Sequence, residues 1–386
     1  MIEPMQPARQ ERKTTMDSQV TQVYWQPLEK LLNPSTDKVQ ALKGFDAEFI
    51  DIVDYIIRIT HRIWEQKNVG LCYRYYGDIC PVYTLGNYSE SVELVVQNTL
   101  KTIAAFPDRS LIGENVIWRE YEDGGYYSSH LITSIMTNTG PSEFGAATNK
   151  TGRVTTIADC VCVENRIVEE WLVRDNSFLI KQLGLDLIDA AIHFAQSTPH
   201  PTFNTWYEQE YQRVLKVSHR EDKALSADNW SVDNFANAWV QTLFNQKQFS
   251  KLHEFYHLTC TQQWPGGRKS VGIPQISGTL IQWLAQCPDA KVTVDHIATV
   301  PFIENDEASS DTIDVAIRWT LAGTFTAREE RLSALSGEKF FVLAASHLRI
   351  KNNKIVNEIT VFDEIALYAN LIRQSGLTLP TLTQEV

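Results

Sequence analysis

Three residues in the second half of the chain could form a metal site. The segment KLHEFYHLT, residues 251–259, places His253, Glu254 and His257 in the spacing H-E-x-x-H. On a helix, that spacing lets two histidines share a Zn²⁺ while the glutamate activates a bound water. The following residues, LTCTQQWPGG, end the helix soon afterwards and supply no third histidine. We therefore expect two ordinary histidines, no bound metal, and a protein that is not a zinc protease.

A pair of carboxylates could do acid–base chemistry on one predicted hairpin. A two-residue turn at 164–165 would place Asp159 directly opposite Glu170. Side chains opposite each other on paired strands lie about 5 Å apart at Cβ. Neighbouring carboxylates in a partly dry site push one pKa upward, which gives an acid and a base from one residue type. This pair is a candidate for proton transfer next to a carbonyl, as an isomerase or aldol cyclase requires.

The second candidate pair lies on a similar hairpin near the end of the chain. A turn at 352–353 would place His347 opposite Glu358. A histidine beside a carboxylate can transfer protons near neutral pH. The alternative for both hairpins is that these groups are solvated or ion-paired to a nearby arginine, such as Arg174 or Arg349.

Two further aspartates follow the second strand of each hairpin. Asp175 and Asp363 are candidates for catalysis, but a strand-to-helix junction is also a typical position for a helix N-cap. Other residues on the strands could line a pocket or belong to the core. These candidates are Trp118, Tyr127, His130, Trp171 and Trp319.

The elements that must position these residues occur twice. ADCVCVENRIVEEWLVRD (158–175) resembles SHLRIKNNKIVNEITVFD (346–363) at an offset of 188 residues, and RIWEQK resembles TLFNQK at an offset of 180. We predict a tandem duplication with a helical linker between the units. The predicted divisions are a polar N-terminal arm at 1–40, unit 1 at 41–190, the linker at 191–231, unit 2 at 232–375 and a tail at 376–386.

Each unit begins with helical periodicity and continues with strands. FDAEFIDIVDYIIRITHRIW has apolar residues at helical spacing, whereas NVIWREY, GYYSSHLITSIMT, TIADCVCV and RIVEEWLV have the character of strands. This order predicts an α+β unit with a curved antiparallel sheet packed on N-terminal helices. Apolar residues on both faces of the last strands indicate that both faces are covered. We expect the two sheets to face each other as an internal pseudo-dimer.

The run ENRIVEEWLVRDNSFLIKQLGLD, residues 164–186, resembles the C-terminal hairpin and helix of SnoaL-like proteins in the nuclear-transport-factor-2-like superfamily. Unit 2 matches through Asn352-Asn353-Lys354-Ile355 and Asp363, although Ile359 replaces the tryptophan and both turns lack the usual glycine. The resemblance implies two cones, each with a pocket at its open end. It also implies either a polyketide cyclase-like or isomerase-like activity that needs no cofactor, or a binding or assembly module. An aspartate and a histidine carry the chemistry of SnoaL-like cyclases, and either Asp175 or the Asp159/Glu170 pair could be the counterpart here.

Composition limits the remaining possibilities. The 386 residues carry a net charge of −12 at a pI near 5.3, which argues against a nucleic-acid partner. No apolar run is long enough for a membrane span. Six scattered cysteines fit a reducing cytoplasm better than a disulfide framework. The expected partner is a small apolar or carbonyl-containing ligand, and dimerisation of the whole chain is left open.

Overall fold

The computed structural model describes residues 20–23, 26–34, 37–217, 230–304 and 307–377. Most of the predicted N-terminal arm and most of the predicted tail lie outside the described residues. Within those ranges, no helix is long and apolar enough to cross a membrane.

Five α-helices and six strands lie between residues 28 and 183 in the described ranges, the first helix within the predicted N-terminal arm and the rest within unit 1. In chain order they are α1 (Leu28–Leu32), α2 (Ile52–Thr60), α3 (Cys72–Tyr75), β1 (Ile79–Tyr83), β2 (Tyr88–Ser91), α4 (Val92–Ala105), β3 (Ser110–Glu120), β4 (Tyr126–Thr137), β5 (Thr151–Val163), β6 (Arg166–Arg174) and α5 (Asn176–Leu183). Two helices, α6 (Leu187–Ala195) and α7 (Pro201–Leu215), follow before unit 2.

Unit 2 repeats the order of unit 1. Its elements are α8 (Val232–Val240), α9 (Leu252–Phe255), β7 (Tyr256–Trp264), β8 (Arg268–Val271), α10 (Gly272–Leu284), β9 (Lys291–Glu304), β10 (Glu307–Thr324), β11 (Lys339–Lys351), β12 (Lys354–Val361) and α11 (Glu364–Ser375). The repetition extends to irregular features. Helices α2 and α8 both continue as π-helical turns, and Lys67 and Lys247 both have positive φ, 59° and 56°.

The two sheets have the same strand order, which confirms the predicted α+β class with one correction. The orders are β2-β1-β6-β5-β4-β3 and β8-β7-β12-β11-β10-β9. The sheets were predicted to be antiparallel, but β1 lies parallel to β6 and β7 lies parallel to β12. The prediction failed because the short hairpins β1–β2 and β7–β8 lack a clear alternating pattern and were not recognised as strands.

Helix α2 covers the concave face of the first sheet. It begins at Asp51, whose carboxylate accepts a hydrogen bond from the backbone N–H of Asp54 and so satisfies one free donor of the first turn. Most of the helix is buried because apolar residues occupy nearly every position after the cap. The enclosed space between this helix, α4 and the sheet becomes the interior of unit 1.

The convex faces of the two sheets pack against each other. The ring of Tyr127 on β4 stacks on His296 of β9 with centroids 3.4 Å apart. The guanidinium of Arg318 on β10 lies 3.4 Å above the centroid of the Trp171 ring on β6. The chain is therefore an internal pseudo-dimer of two sheets, and residues that point outward from one cone are buried against the other.

Candidate functional site

A cavity of about 640 Å³ occupies the interior of unit 1. Its wall is mostly apolar and comes from α2, α4 and the concave sheet face, with contributions from β1 and α6. The apolar lining includes Ile56, Ile59, Trp64, Val82, Leu85, Val95, Ile132, Met136, Val154, Leu172 and Phe194. A space of this size and character suits a small apolar molecule.

Glu170 is the acidic group on the sheet wall of this cavity. Its side chain is buried and accepts a hydrogen bond of 3.2 Å from the hydroxyl of Tyr76, which is also buried. Burial raises the pKa of the Glu170 carboxyl to about 7, although Arg174 and the Tyr76 hydroxyl each lower it. Near neutral pH, Glu170 can therefore both accept and donate a proton.

His130 lines the same cavity from β4. It is buried, and its Nε2 atom has no hydrogen-bond partner among the residues that the structure describes. Burial lowers the pKa of His130 to about 3, so the imidazole is neutral at physiological pH. A neutral imidazole can donate or accept a hydrogen bond from a ligand, but which nitrogen carries the proton depends on the tautomer.

The predicted pairing of Asp159 with Glu170 is wrong by one residue. Glu164 and Asn165 do form a two-residue turn with positive φ, 46° and 71°, but the register then shifts between Val161 and Cys162. Glu170 consequently pairs with Cys160, and Asp159 pairs with Trp171. A bulge of one residue reverses the face on which every later side chain lies.

The same shift separates the predicted pair in unit 2. A register change between Arg349 and Ile350 pairs His347 with Ile359 and leaves Glu358 opposite Leu348. His347 points to the interface between the sheets, where its Nε2 lies 2.9 Å from the hydroxyl of Ser129. Burial and the nearby His130 lower the pKa of His347 to about 3. It does not face Glu358.

Asp159 lies in the same interface between the sheets. It accepts a short hydrogen bond from the Tyr127 hydroxyl, and its Oδ2 lies 3.7 Å from Nη1 of Arg318. Burial raises the pKa of its carboxyl, while Arg318 lowers it. Asp159 and Tyr127 are thus buried in the contact between the units and do not line the cavity.

The other predicted lining residues have different positions. Trp118 packs edge-on against Tyr126 in the core of unit 1, and Trp319 is fully buried in unit 2, where its indole N–H donates to Ser346. Trp171 lines a separate cleft of about 410 Å³ between the units, beside Tyr83 and other residues. Of the five predicted residues, His130 is the one in the wall of the large cavity.

Asp175 and Asp363 cap helices. Asp175 accepts from the backbone N–H of Phe178 at the start of α5, and Asp363 accepts from Ile365 and Ala366 at the start of α11. Burial raises their pKa values to about 6 and about 7, respectively. Asp363 also borders the cavity of unit 1 and accepts from the Asn176 amide at 2.5 Å.

The H-E-x-x-H segment does not place two histidines on one helix. Helix α9 ends at Phe255, so His253 lies on a short helix and His257 lies on strand β7. Both side chains are exposed and bond locally, to Ser250 and Thr259. No cluster of three or more histidine, cysteine or acidic side chains with metal-binding geometry occurs in the described part of the chain.

Residues 234–371 match the family model described as SnoaL-like polyketide cyclase. The chain carries a SnoaL-like domain. A search of the curated proteins finds no match to the chain.

Solved SnoaL-like and ketosteroid isomerase-like structures are similar to parts of this chain. A SnoaL-like polyketide cyclase from Agrobacterium tumefaciens is 16% identical, with coverage of 37% of this chain and 98% of its own and a TM-score of 0.29. A protein with a ketosteroid isomerase-like fold from Catenulispora acidiphila, solved with trimethylamine, is 17% identical, with coverage of 38% and 96% and a TM-score of 0.28.

In the SnoaL-like domain at 234–371, donor side chains surround the carboxylate that corresponds to Glu170. That carboxylate belongs to Glu358, which is fully buried and accepts from four donors: Tyr256 at 2.7 Å, Gln262 at 3.0 Å, Trp264 at 2.6 Å and Thr360 at 2.7 Å. Tyr76 is the counterpart of Tyr256 in unit 1. The other three positions hold Val82, Thr84 and Leu172, which all border the cavity.

Sequence reasoning missed two residues of the unit 1 cavity, Tyr76 and Arg109. Tyr76 had a signal, because the repeat aligns it with Tyr256, the tyrosine within the H-E-x-x-H segment. Arg109 follows the repeated Pro-Asp, but its counterpart in unit 2 is Ala290, so the repeat gave no indication of it. Arg109 is buried and hydrogen-bonds to Ser134 Oγ at 3.2 Å and 3.1 Å.

Proposed function

We propose that unit 1 binds an apolar carbonyl compound in its cavity and transfers a proton on that compound by acid–base catalysis without a cofactor. The observation that supports the proposal most directly is Glu170, a buried carboxyl with a pKa of about 7 on the wall of an apolar cavity. A general acid or base is most effective when its pKa lies near the working pH.

In the proposed reaction, the ionised Glu170 takes a proton from the carbon next to the carbonyl. The electrons of the broken C–H bond form a C=C bond, and the carbonyl π electrons move to oxygen and give an enolate. A donor on the wall, such as His130, would stabilise the enolate oxygen. In an isomerisation of a β,γ-unsaturated ketone, the protonated Glu170 returns the proton to the γ carbon of the resulting dienolate. In a cyclisation, the enolate carbon attacks a second carbonyl, and the oxygen of that carbonyl takes the proton from Glu170.

The alternative is that the cavity holds a ligand without turning it over, as in a binding or assembly module. The packing around Glu358 favours such a structural role for unit 2. Four side-chain donors already occupy the two oxygens of the Glu358 carboxylate, which leaves no room for a substrate to bond there. For unit 1, the choice between enzyme and binder depends on whether Glu170 exchanges protons with a bound carbonyl compound.

The test is proton exchange in D₂O with 4-phenylbutan-2-one, followed by NMR. We expect the protein to accelerate deuterium incorporation next to the carbonyl, and Glu170→Gln to lower this rate by about 100-fold or more with little change in ligand affinity. The loss follows because the amide keeps the size of the side chain but cannot accept the proton.

Glu169→Gln is the matched control. Glu169 is the adjacent residue on β6, and it borders the cleft between the units instead of the cavity. The Glu169→Gln variant should catalyse deuterium incorporation at the wild-type rate. Binding of the ketone without exchange would establish the ligand-binding alternative, and equal loss in both variants would show that Glu170 has no special role.

A further inference from the structure

The cavity of unit 1 has a cationic end that the proton-transfer proposal does not use. Arg109 and Arg174 both border the cavity. In the described part of the chain, the guanidinium of Arg109 bonds only to the neutral Ser134 hydroxyl, and the side chain of Arg174 makes no hydrogen bond or ion pair. Two arginines therefore share an apolar cavity without a paired carboxylate.

An unpaired arginine is costly to bury. Arg109 is only 7% exposed, and the loss of hydration together with repulsion from Arg174 lowers its pKa to about 9, although the charge of Glu65 acts in the opposite direction. It still carries its charge at neutral pH. Buried cations in proteins are normally paired, because desolvation of an isolated charge is strongly unfavourable. An anionic group of the ligand is the simplest account of one buried and one half-buried arginine that border the same cavity without an ion pair in the described ranges.

Two acidic groups of the same cavity feel the charge of Arg174 but do not form an ion pair with either arginine in the described ranges. Glu170 is bonded to Tyr76, and Asp363 is held by the first turn of α11 and by Asn176. Glu143 borders the cavity as well, where burial raises the pKa of its carboxyl and the nearby charge of Arg174 lowers it. None of the three forms an ion pair with Arg109 or Arg174 in the described ranges.

We infer that the ligand of unit 1 is an amphiphilic carboxylate whose anionic group binds at Arg109 and Arg174 while its apolar part fills the cavity. The planar guanidinium presents two parallel N–H donors that match the two oxygens of a carboxylate. The inference rests on the proposed function, since it names the substrate class of the same cavity.

The position of the arginines also fixes where the reacting carbonyl lies. Arg174 is four residues from Glu170 on β6, which corresponds to about 13 Å along the strand. His130 lies between Glu170 and Arg174 along the sheet. Ala158 pairs with His130 on one side and with Leu172 on the other, and Leu172 is midway between Glu170 and Arg174 on β6. The reacting carbonyl is thus separated from the carboxylate by several carbons, as in a long-chain keto acid.

The test compares the binding of decanoate, decan-1-ol and decyl phosphate to the full chain by isothermal titration calorimetry. We expect decanoate to bind at least about tenfold more tightly than decan-1-ol, as one charge-assisted hydrogen-bonded pair would give. In Arg109→Met this preference should disappear, while the affinity for decan-1-ol stays within a few-fold of the wild-type value.

Arg166→Met is the matched control, because Arg166 lies on the surface and pairs with the exposed Asp78. It should keep the preference for decanoate. The thermal midpoint provides a second readout, since removal of an unpaired buried charge should leave the Arg109→Met variant at least as stable as the wild type. A merely structural arginine would instead lower it.

The other outcomes separate the two proposals. Equal affinity for all three compounds would overturn the carboxylate inference but leave an apolar binding cavity in place. Preference for decyl phosphate would overturn the carboxylate class in favour of a phosphate ester. Absence of binding by all three would overturn the inference, whereas proton exchange on the ketone could still be observed.

Discussion

Two glutamates at equivalent positions show how environment decides the chemistry of one residue type. Glu358 accepts from four side-chain donors in a packed interior, which fixes it as part of the framework. Glu170 has the tyrosine of that set, but valine, threonine and leucine replace the other three donors and border a cavity. With fewer donors to stabilise the carboxylate, burial raises its pKa to about 7.

The raised pKa predicts a pH-dependent contribution of Glu170 to stability. In the unfolded chain a glutamate ionises near pH 4.3, whereas folded Glu170 stays protonated up to about pH 7. The folded state therefore binds more protons across this window, and stability falls as the pH rises through it. Relative to Glu170→Gln, the wild type should lose about 3 kcal/mol of unfolding free energy between pH 4 and pH 8.

Urea denaturation of both proteins at several pH values measures this difference. The comparison with Glu170→Gln cancels the effects of Asp175 and Asp363, whose pKa values are also raised and whose environments are unchanged in the variant. A constant difference between the two proteins from pH 4 to pH 8 would mean that Glu170 titrates as an ordinary surface glutamate.

At the scale of elements, the two bulged hairpins explain which part of the site could be predicted. The repeat located both turns, and the turn residues 164–165 and 352–353 have the positive φ angles that a two-residue hairpin needs. The bulges, whose extra residues lie three positions after each turn, could not be predicted, because an extra residue in a strand has no distinct composition. Glu170 borders the cavity but was assigned to the wrong partner, whereas Asp159, His347 and Glu358 do not line that cavity.

The bulges place Asp159 where β5 packs against β10. There Arg318 interacts with the Trp171 ring and lies close to the Asp159 carboxyl, both within a buried interface. Removal of one member of a buried ion pair is strongly destabilising because it leaves the other charge uncompensated. We expect Arg318→Met to lower the unfolding free energy by about 3 kcal/mol.

The double variant Arg318→Met/Asp159→Asn tests whether the loss comes from the remaining charge. It should recover part of the stability that Arg318→Met alone loses, in chemical denaturation at pH 7.5. Strictly additive effects of the two substitutions would show that Asp159 and Arg318 contribute independently and that the packing of Arg318 on Trp171 accounts for the loss.

At the scale of the whole molecule, most of the architecture could be read from the duplication. The helices-then-strands order, the two units and the facing sheets followed from repeated segments and from strands that are apolar on both faces. The divergence of the interiors did not. The repeat shows that Gln262 and Trp264 replace Val82 and Thr84. It does not predict whether the space around them is open or filled, because that depends on how side chains from several elements pack together.

The two units share one fold but have different interiors. Unit 2 carries the SnoaL-like family match but has an interior filled by fully buried side chains such as Trp239, Trp264 and Trp319. Unit 1 holds the large cavity, and the two sheets support each other through the interface of Asp159, Arg318 and His347. We therefore propose that ligand binding belongs to unit 1.

The number of ligand molecules bound per chain tests this division most directly. Calorimetric titration with 4-phenylbutan-2-one should give one site per chain, and Ala158→Phe, which places a ring in the cavity, should abolish binding. The same substitution at the exposed Ala41 is the control and should leave binding unchanged. Two sites per chain, or full binding by a folded Ala158→Phe variant, would contradict the assignment of the ligand to the cavity of unit 1.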